Sequence, residues 1–143
     1  MRVIVQAEPF DMAAELHGFG AGSGAVVTFT GIVRDDGGRM QALELEHYPG
    51  MTERAMTEIT RDALHRFALT DVTVIHRHGR IPVGEAIMMV ATAARHRQAA
   101  FDAAEFLMDY LKSRAPFWKK EIGPEGESWV AARQADEEAL KRW

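Results

Sequence analysis

The chain has 143 residues, 47% hydrophobic and 27% charged, with a formal net charge of −4 and no cysteine. That is the length of one domain, enough to bury roughly two-thirds of its unfolded surface. The charge excludes an overall basic field for nucleic acid, and the missing thiols exclude disulfides, thiolate metal sites and any cysteine nucleophile or persulfide.

Residues 3–6 predict a short strand, and residues 11–17 a short helix opened by a capping Asp11. Glu8 and Pro9 interrupt any signal-peptide core, and no stretch is apolar over the roughly 20 residues that span a bilayer. The expectation is a cytoplasmic chain with no membrane contact. Gly18, Gly20, Gly22 and Gly24 precede a strand at 25–34, whereas a phosphate-cradling glycine loop opens a helix; a flexible loop is expected instead. A turn at 35–38 then leads to residues 41–48, expected as the hairpin partner of the preceding strand.

Residues 51–67 predict a helix with Met56, Ile59, Ala63 and Phe67 facing the core. Residues 72–78 and 85–93 predict two strands joined by a turn containing Pro82 and Gly84, the second apolar on both faces and so central in its sheet. A second long helix follows at 97–112, with Phe101, Ala104, Met108 and Leu111 inward, and Pro116 ends it. Residues 117–122 and 129–133 form a hairpin around Gly123 to Gly126, and a polar helix at 136–142 closes the chain. The order ββαββαββ implies one α+β domain over 1–143, a mainly antiparallel sheet with helices packed on one side, hammerhead-like.

The stretch 108–121 places Lys112, Arg114, Lys119 and Lys120 among Tyr110, Phe117 and Trp118. A cationic pocket walled by aromatics suits a flat, anionic small molecule, and a desolvated lysine there can act as acid, base or nucleophile. Taken singly, Lys112 and Arg114 equally suit the negative end of a helix dipole. Lys119 and Lys120 point to opposite strand faces, and the pattern does not choose between them. Arg95, His96 and Arg97 open a helix, a sensible place for an anion or for solvated side chains. Arg34 and Arg133 end strands, as binding residues or as surface arginines. His76 and His78 have His-x-His spacing, but without a third ligand no metal site is expected; His47 reads as a hydrogen-bonded core histidine.

Several segments together resemble the catalytic (large) subunit of molybdopterin synthase. They are Gly24-Ala25-Val26-Val27-Thr28-Phe29-Thr30-Gly31 with Val33-Arg34, Leu45-Glu46-His47-Tyr48-Pro49-Gly50-Met51, Val74-Ile75-His76-Arg77 with Gly79, and the block at 108–121. Pro124-Glu125-Gly126, Trp129-Val130 and Lys141-Arg142-Trp143 agree as well. The resemblance implies conversion of cyclic pyranopterin monophosphate (precursor Z) to the molybdopterin dithiolene. Its sulfur comes from the C-terminal Gly-Gly thiocarboxylate of a small ubiquitin-like partner, with no cofactor. By the same resemblance Lys112 lies beside the thiocarboxylate as acid/base or acyl acceptor, and Lys119 lies near the pterin. Arg34, His96 and Arg97 resemble the phosphate-binding set, the last two reaching across from a neighbouring copy, while Arg133 and Phe29 line the pocket. The implied assembly is a central dimer of large subunits with one small subunit at each end. The competing readings are a non-catalytic phosphometabolite-binding regulatory module and an RNA-binding sheet, the latter opposed by the acidic charge.

Overall fold

The structure is a computed structural model that describes residues 1–35 and 37–143. Its elements run β1 (Arg2–Gln6), α1 (Met12–Leu16), β2 (Ala25–Ile32), β3 (Ala42–His47), α2 (Met51–Arg66), β4 (Asp71–Arg77) and β5 (Gly79–Pro82). Then follow β6 (Ala86–Ala94), α3 (Arg97–Arg114), β7 (Phe117–Gly123), β8 (Gly126–Trp129) and α4 (Gln134–Ala139), with a last 3-10 turn at Leu140–Arg142. The α+β, mainly antiparallel expectation holds, but the strands divide into two sheets, ordered β1-β4-β6-β2 and β5-β3-β7-β8.

In the first sheet β6 lies between β4 and β2, antiparallel to both, and β1 runs parallel to β4. The doubly apolar run at 86–94 is therefore central, as its pattern predicts. Val72, Val74, Met88 and Val90 meet α2 and α3 on one face, joined by Met56, Ala63, Phe106 and Leu107. On the opposite face Ile75, Met89 and Ala91 are covered by Ile4, Phe10, Leu16 and Phe19, from β1, α1 and neighbouring loops. The two long helices thus share one side, while the short α1 region covers the other. Each fully buried Val, Ile, Leu, Met or Phe side chain among these contributes about 1.5–3 kcal/mol of transfer free energy.

Three local expectations are corrected. The strand at 41–48 is not the hairpin partner of β2. After a bulge at Gly31/Ile32 the chain leaves the first sheet, and β3 pairs with β5 and β7 in the second. Period-2 alternation shows that a segment is a strand but not which strand it joins. Here Glu46 on β3 and Glu127 on β8 both approach Lys120 on β7, each at 3.6 Å, which suits this pairing. Second, the connection between β4 and β6 contains β5, a short strand of the second sheet. Third, Phe101 faces outward and is 55% exposed. The buried residues of α3 are Ala100, Ala103, Ala104, Phe106, Leu107 and Leu111, and the small ones let α3 approach the sheet closely and leave Phe101 off that face. Of the turn expected at 35–38, Asp36 lies outside the described residues.

Gly24 does more than loosen a loop. A Cβ there would lie 2.1 Å from the Arg95 carbonyl oxygen, so only glycine lets the start of β2 pass beneath the start of α3. The Gly24 N–H donates to the Ala94 carbonyl at 3.0 Å, closing the same junction.

Candidate active site

A cavity of about 1040 Å³ opens where the end of α3 meets β7, the chain after β2, and the segment leading into α4. Its apolar wall includes Ile87, Met88, Met108, Leu111 and Phe117. Lys112 enters from the last turn of α3, which Pro116 limits, and Lys119 enters from β7. Arg34 comes from the chain just after β2 and Phe29 from β2 itself; Arg133, expected at a strand end, instead takes the N-cap position of α4, because β8 stops at Trp129. Helix end, strand and loop thus bring four cations and an aromatic ring into one hollow.

The strand alternation that left the two lysines open is resolved by the pairing of β7. Lys120 faces away from the cavity, between Glu46 and Glu127, with its ammonium 4.5 Å from the centre of the Trp129 ring. Lys119 faces inward. Its surface remains in contact with solvent through the cavity mouth, yet protein surrounds most of its ammonium. Burial lowers its pKa below the ordinary lysine value; Lys112 and Arg133 act in the same direction, and Asp136 opposes them.

His76 lines the same cavity and is not a metal ligand in waiting. Its ring stacks on Phe117 with centroids 3.9 Å apart, joining β4 of the first sheet to β7 of the second. The Nδ1 atom lies 2.8 Å from the Arg77 carbonyl, an acceptor, so Nδ1 carries the hydrogen. Burial pushes the His76 pKa down to about 4, overriding the opposing Arg77 contact, and Lys119 and His78 add smaller effects in the same direction as burial. The ring is therefore neutral near pH 7. His47 is largely buried, but its ring meets His78 at 4.2 Å and Glu53 at 3.6 Å, at the back of the site. Among the described residues no group of three potential ligands could hold a metal ion.

His96 and Arg97 do not join this cavity. They are exposed at the opposite end of α3, and 15 residues of helix lie between Arg97 and Lys112, a rise of about 22 Å. Asp136 and His76 were not singled out as pocket residues from the sequence. Asp136 read only as the start of a polar helix, and His76 as half of a His-x-His pair. The signal that finds them is convergence in space, which their local spacing does not encode.

The sequence profile described as "MoaE protein" matches residues 5–114. The chain belongs to the MoaE family. The molybdopterin synthase catalytic subunit of Cereibacter sphaeroides is 64% identical to it, over 100% of both chains. Among solved structures, a molybdopterin biosynthesis MoaE protein from Burkholderia ambifaria superposes with a TM-score of 0.85 at 48% identity, covering 99% of this chain and 97% of that one. The molybdopterin synthase of Staphylococcus aureus superposes with a TM-score of 0.82 at 29% identity, covering 89% and 95%. The two-sheet architecture is thus that of MoaE proteins, and the resemblance read from 24–34, 45–51 and 108–121 is borne out at the level of the family.

Proposed function

We propose that the chain works as one domain in the cytoplasm, as the catalytic subunit of a molybdopterin synthase. It would transfer sulfur from the C-terminal thiocarboxylate of a small ubiquitin-like partner to precursor Z, forming the dithiolene of molybdopterin. The observation that carries this reading is the convergence of Lys112 and Lys119 with Arg34 and Arg133 in one cavity. Thiocarboxylate, substrate monophosphate and dithiolene product are all anionic, and fixed cations in a partly dry hollow stabilise such charge with little reorganisation.

Within this reading Lys112 stands beside the thiocarboxylate as acid/base or acyl acceptor, and Lys119 contacts the pterin side. Phe29 and Phe117 offer ring surface to a flat heterocycle. The cavity rim suits a protein partner. Trp118 and Val130 lie on it, and Trp118 meets the exposed ring of Tyr48 at 5.9 Å, an apolar surface of the kind that anchors interfaces.

The positions of His96 and Arg97 favour a site shared between copies. β2 is an edge strand whose first residue lies by the start of α3 and whose far end reaches the cavity. It exposes Val26 and Ile32. Two such edges meeting about a twofold axis, antiparallel, would bring His96 and Arg97 of one copy towards Arg34 of the other. There they complete a phosphate-binding set.

The test mixes the chain with thiocarboxylated partner and precursor Z and measures dithiolene formation. Wild type is expected to make product. Lys112→Ala should lose most turnover, on the order of a hundredfold or more, while partner binding stays nearly intact. Lys112→Arg should also be inactive, because arginine keeps the charge but is no base at neutral pH. Normal turnover by either variant would refute the role of Lys112, and no product from wild type under conditions where a known synthase works would defeat the reading.

A further inference from the structure

One charged group on the cavity wall has no part in the chemistry above. Asp136 stands in the first turn of α4, partly buried, on the same wall as Lys112, Lys119 and Arg133. Two of the other cavity acids are already engaged. Asp35 accepts N–H groups from Gly37, Arg39 and Met40 within its own loop, and Glu125 lies 3.8 Å from Arg39 at the mouth. Glu121 is exposed on β7, two residues beyond Lys119 on the same strand face.

The fold fixes where Asp136 stands. Its N–H donates to the Arg133 carbonyl at 3.1 Å, so the cation and the anion share one turn. The next residue, Glu137, accepts from Arg114 at 2.7 Å, tying α4 to the end of α3 two residues from Lys112. Beyond α4, Arg142 and the Trp143 indole both donate to Asp109, at 2.6 and 2.7 Å, which fastens the segment to α3 a second time. The carboxylate is thus held on the same cavity wall as Lys112, Lys119 and Arg133.

We propose that Asp136 is a positioning residue, a fixed counter-charge that keeps the Lys119 ammonium protonated and inside the cavity against the repulsion of Lys112 and Arg133. No closed ion pair joins Asp136 to Lys119 among the described residues, so the action is through space. The charged and titratable groups that share this hollow with Lys119 are Lys112 on α3, Arg133 and Asp136 at α4, His76 on β4, Glu121 on β7, Arg34, Asp35 and Arg39 after β2, and Glu125 in the turn after β7. Asp136 is the acid that favours the charged form of Lys119, opposing burial and both cations. An uncompensated cluster of cations would drive its most mobile member towards solvent or strip its proton. One carboxylate on a pinned turn prevents both and still leaves a net positive cavity for an anionic substrate.

The inference rests on the reading of Lys119 as the pterin-side lysine, and its first test needs neither partner nor substrate. The free chain, labelled with 13C-lysine, is titrated by NMR, with the Lys119 signal identified by its loss in Lys119→Arg. In Asp136→Asn the midpoint should fall, Asp136→Glu should return it towards wild type, and Arg133→Gln should raise it. An unmoved midpoint in a folded Asp136→Asn chain overturns the proposal. The second measurement is the pH profile of kcat/KM with thiocarboxylated partner and precursor Z. Its limb belonging to Lys119 should move down with the NMR midpoint in Asp136→Asn. A profile that stays in place while the midpoint moves overturns the catalytic relevance of Asp136. A wild-type chain that titrates as expected but makes no dithiolene strikes the sulfur-transfer reading instead.

Discussion

Lys119 and Lys120 are chemically identical neighbours with opposite circumstances, and the difference is set by strand geometry. Lys120 sits between two carboxylates and over an indole outside the cavity; solvent-reachable pairs of this kind contribute about 0–1 kcal/mol. Lys120→Ala should therefore keep dithiolene turnover within about twofold of wild type, whereas Lys119→Ala loses most of it; a steady-state assay of both variants is the check. His76 offers a second residue-level outcome. Its folded pKa of about 4 lies below the 6.5 of an unfolded histidine. The unfolded chain therefore binds the proton first, and the stabilising effect of the neutral buried ring is complete above pH 6.5 and lost as pH falls towards 4. The loss amounts to roughly 3 kcal/mol. Urea unfolding of wild type and His76→Phe at both ends of that window should show the variant less pH-dependent; equal slopes would contradict the assignment.

At the level of elements, periodicity was informative and pairing was not. The spans of α2, α3, β6 and β7 follow from apolar spacing and Pro116, all local signals, whereas the strand expected at 129–133 lies earlier, at Gly126–Trp129, because the turn after Gly123 is tighter than its Gly-Pro-Glu-Gly sequence suggests. The partners of β3 and the existence of β5 depend on contacts far along the chain, and four residues of strand are too few to carry a pattern. Phe101 was misplaced because a large apolar side chain outweighs alanines in a hydrophobic stripe, although alanines are what close helix–sheet approach requires. The candidate site divides the same way. Arg34, Lys112, Lys119 and Arg133 stand out as cations at element ends, the family resemblance selects them and adds Phe29, and all five line one cavity, while Asp136 needs the fold. Gly24 has an element-level consequence as well. Gly24→Ala sets a methyl against the Arg95 carbonyl, and should destabilise by about 1–3 kcal/mol or more, read as a lower denaturation midpoint. An unchanged midpoint would mean the β2–α3 junction yields freely.

For the molecule as a whole, the separation of His96 and Arg97 from the cavity decides what an active unit is. Chains carrying Lys112→Ala and chains carrying Arg97→Ala should each be inactive alone. If the site is shared across a twofold axis, randomly mixed dimers regain about a quarter of intact sites, since half the dimers are mixed and each mixed dimer has one good site. Recovery of activity on mixing, after the subunits are allowed to exchange, is the measurement. No recovery, with exchange demonstrated, would refute a site shared between copies, and an Arg97→Ala chain that is active alone would place Arg97 outside the reaction.

Helix α3 then acts as a measuring rod. One end delivers a lysine to its own chamber, and the other, about 22 Å away, carries an imidazole and a guanidinium that this chamber never receives. If the neighbour's chamber does, a lone copy holds two unmatched half-sites, and dilution past dissociation should silence both together.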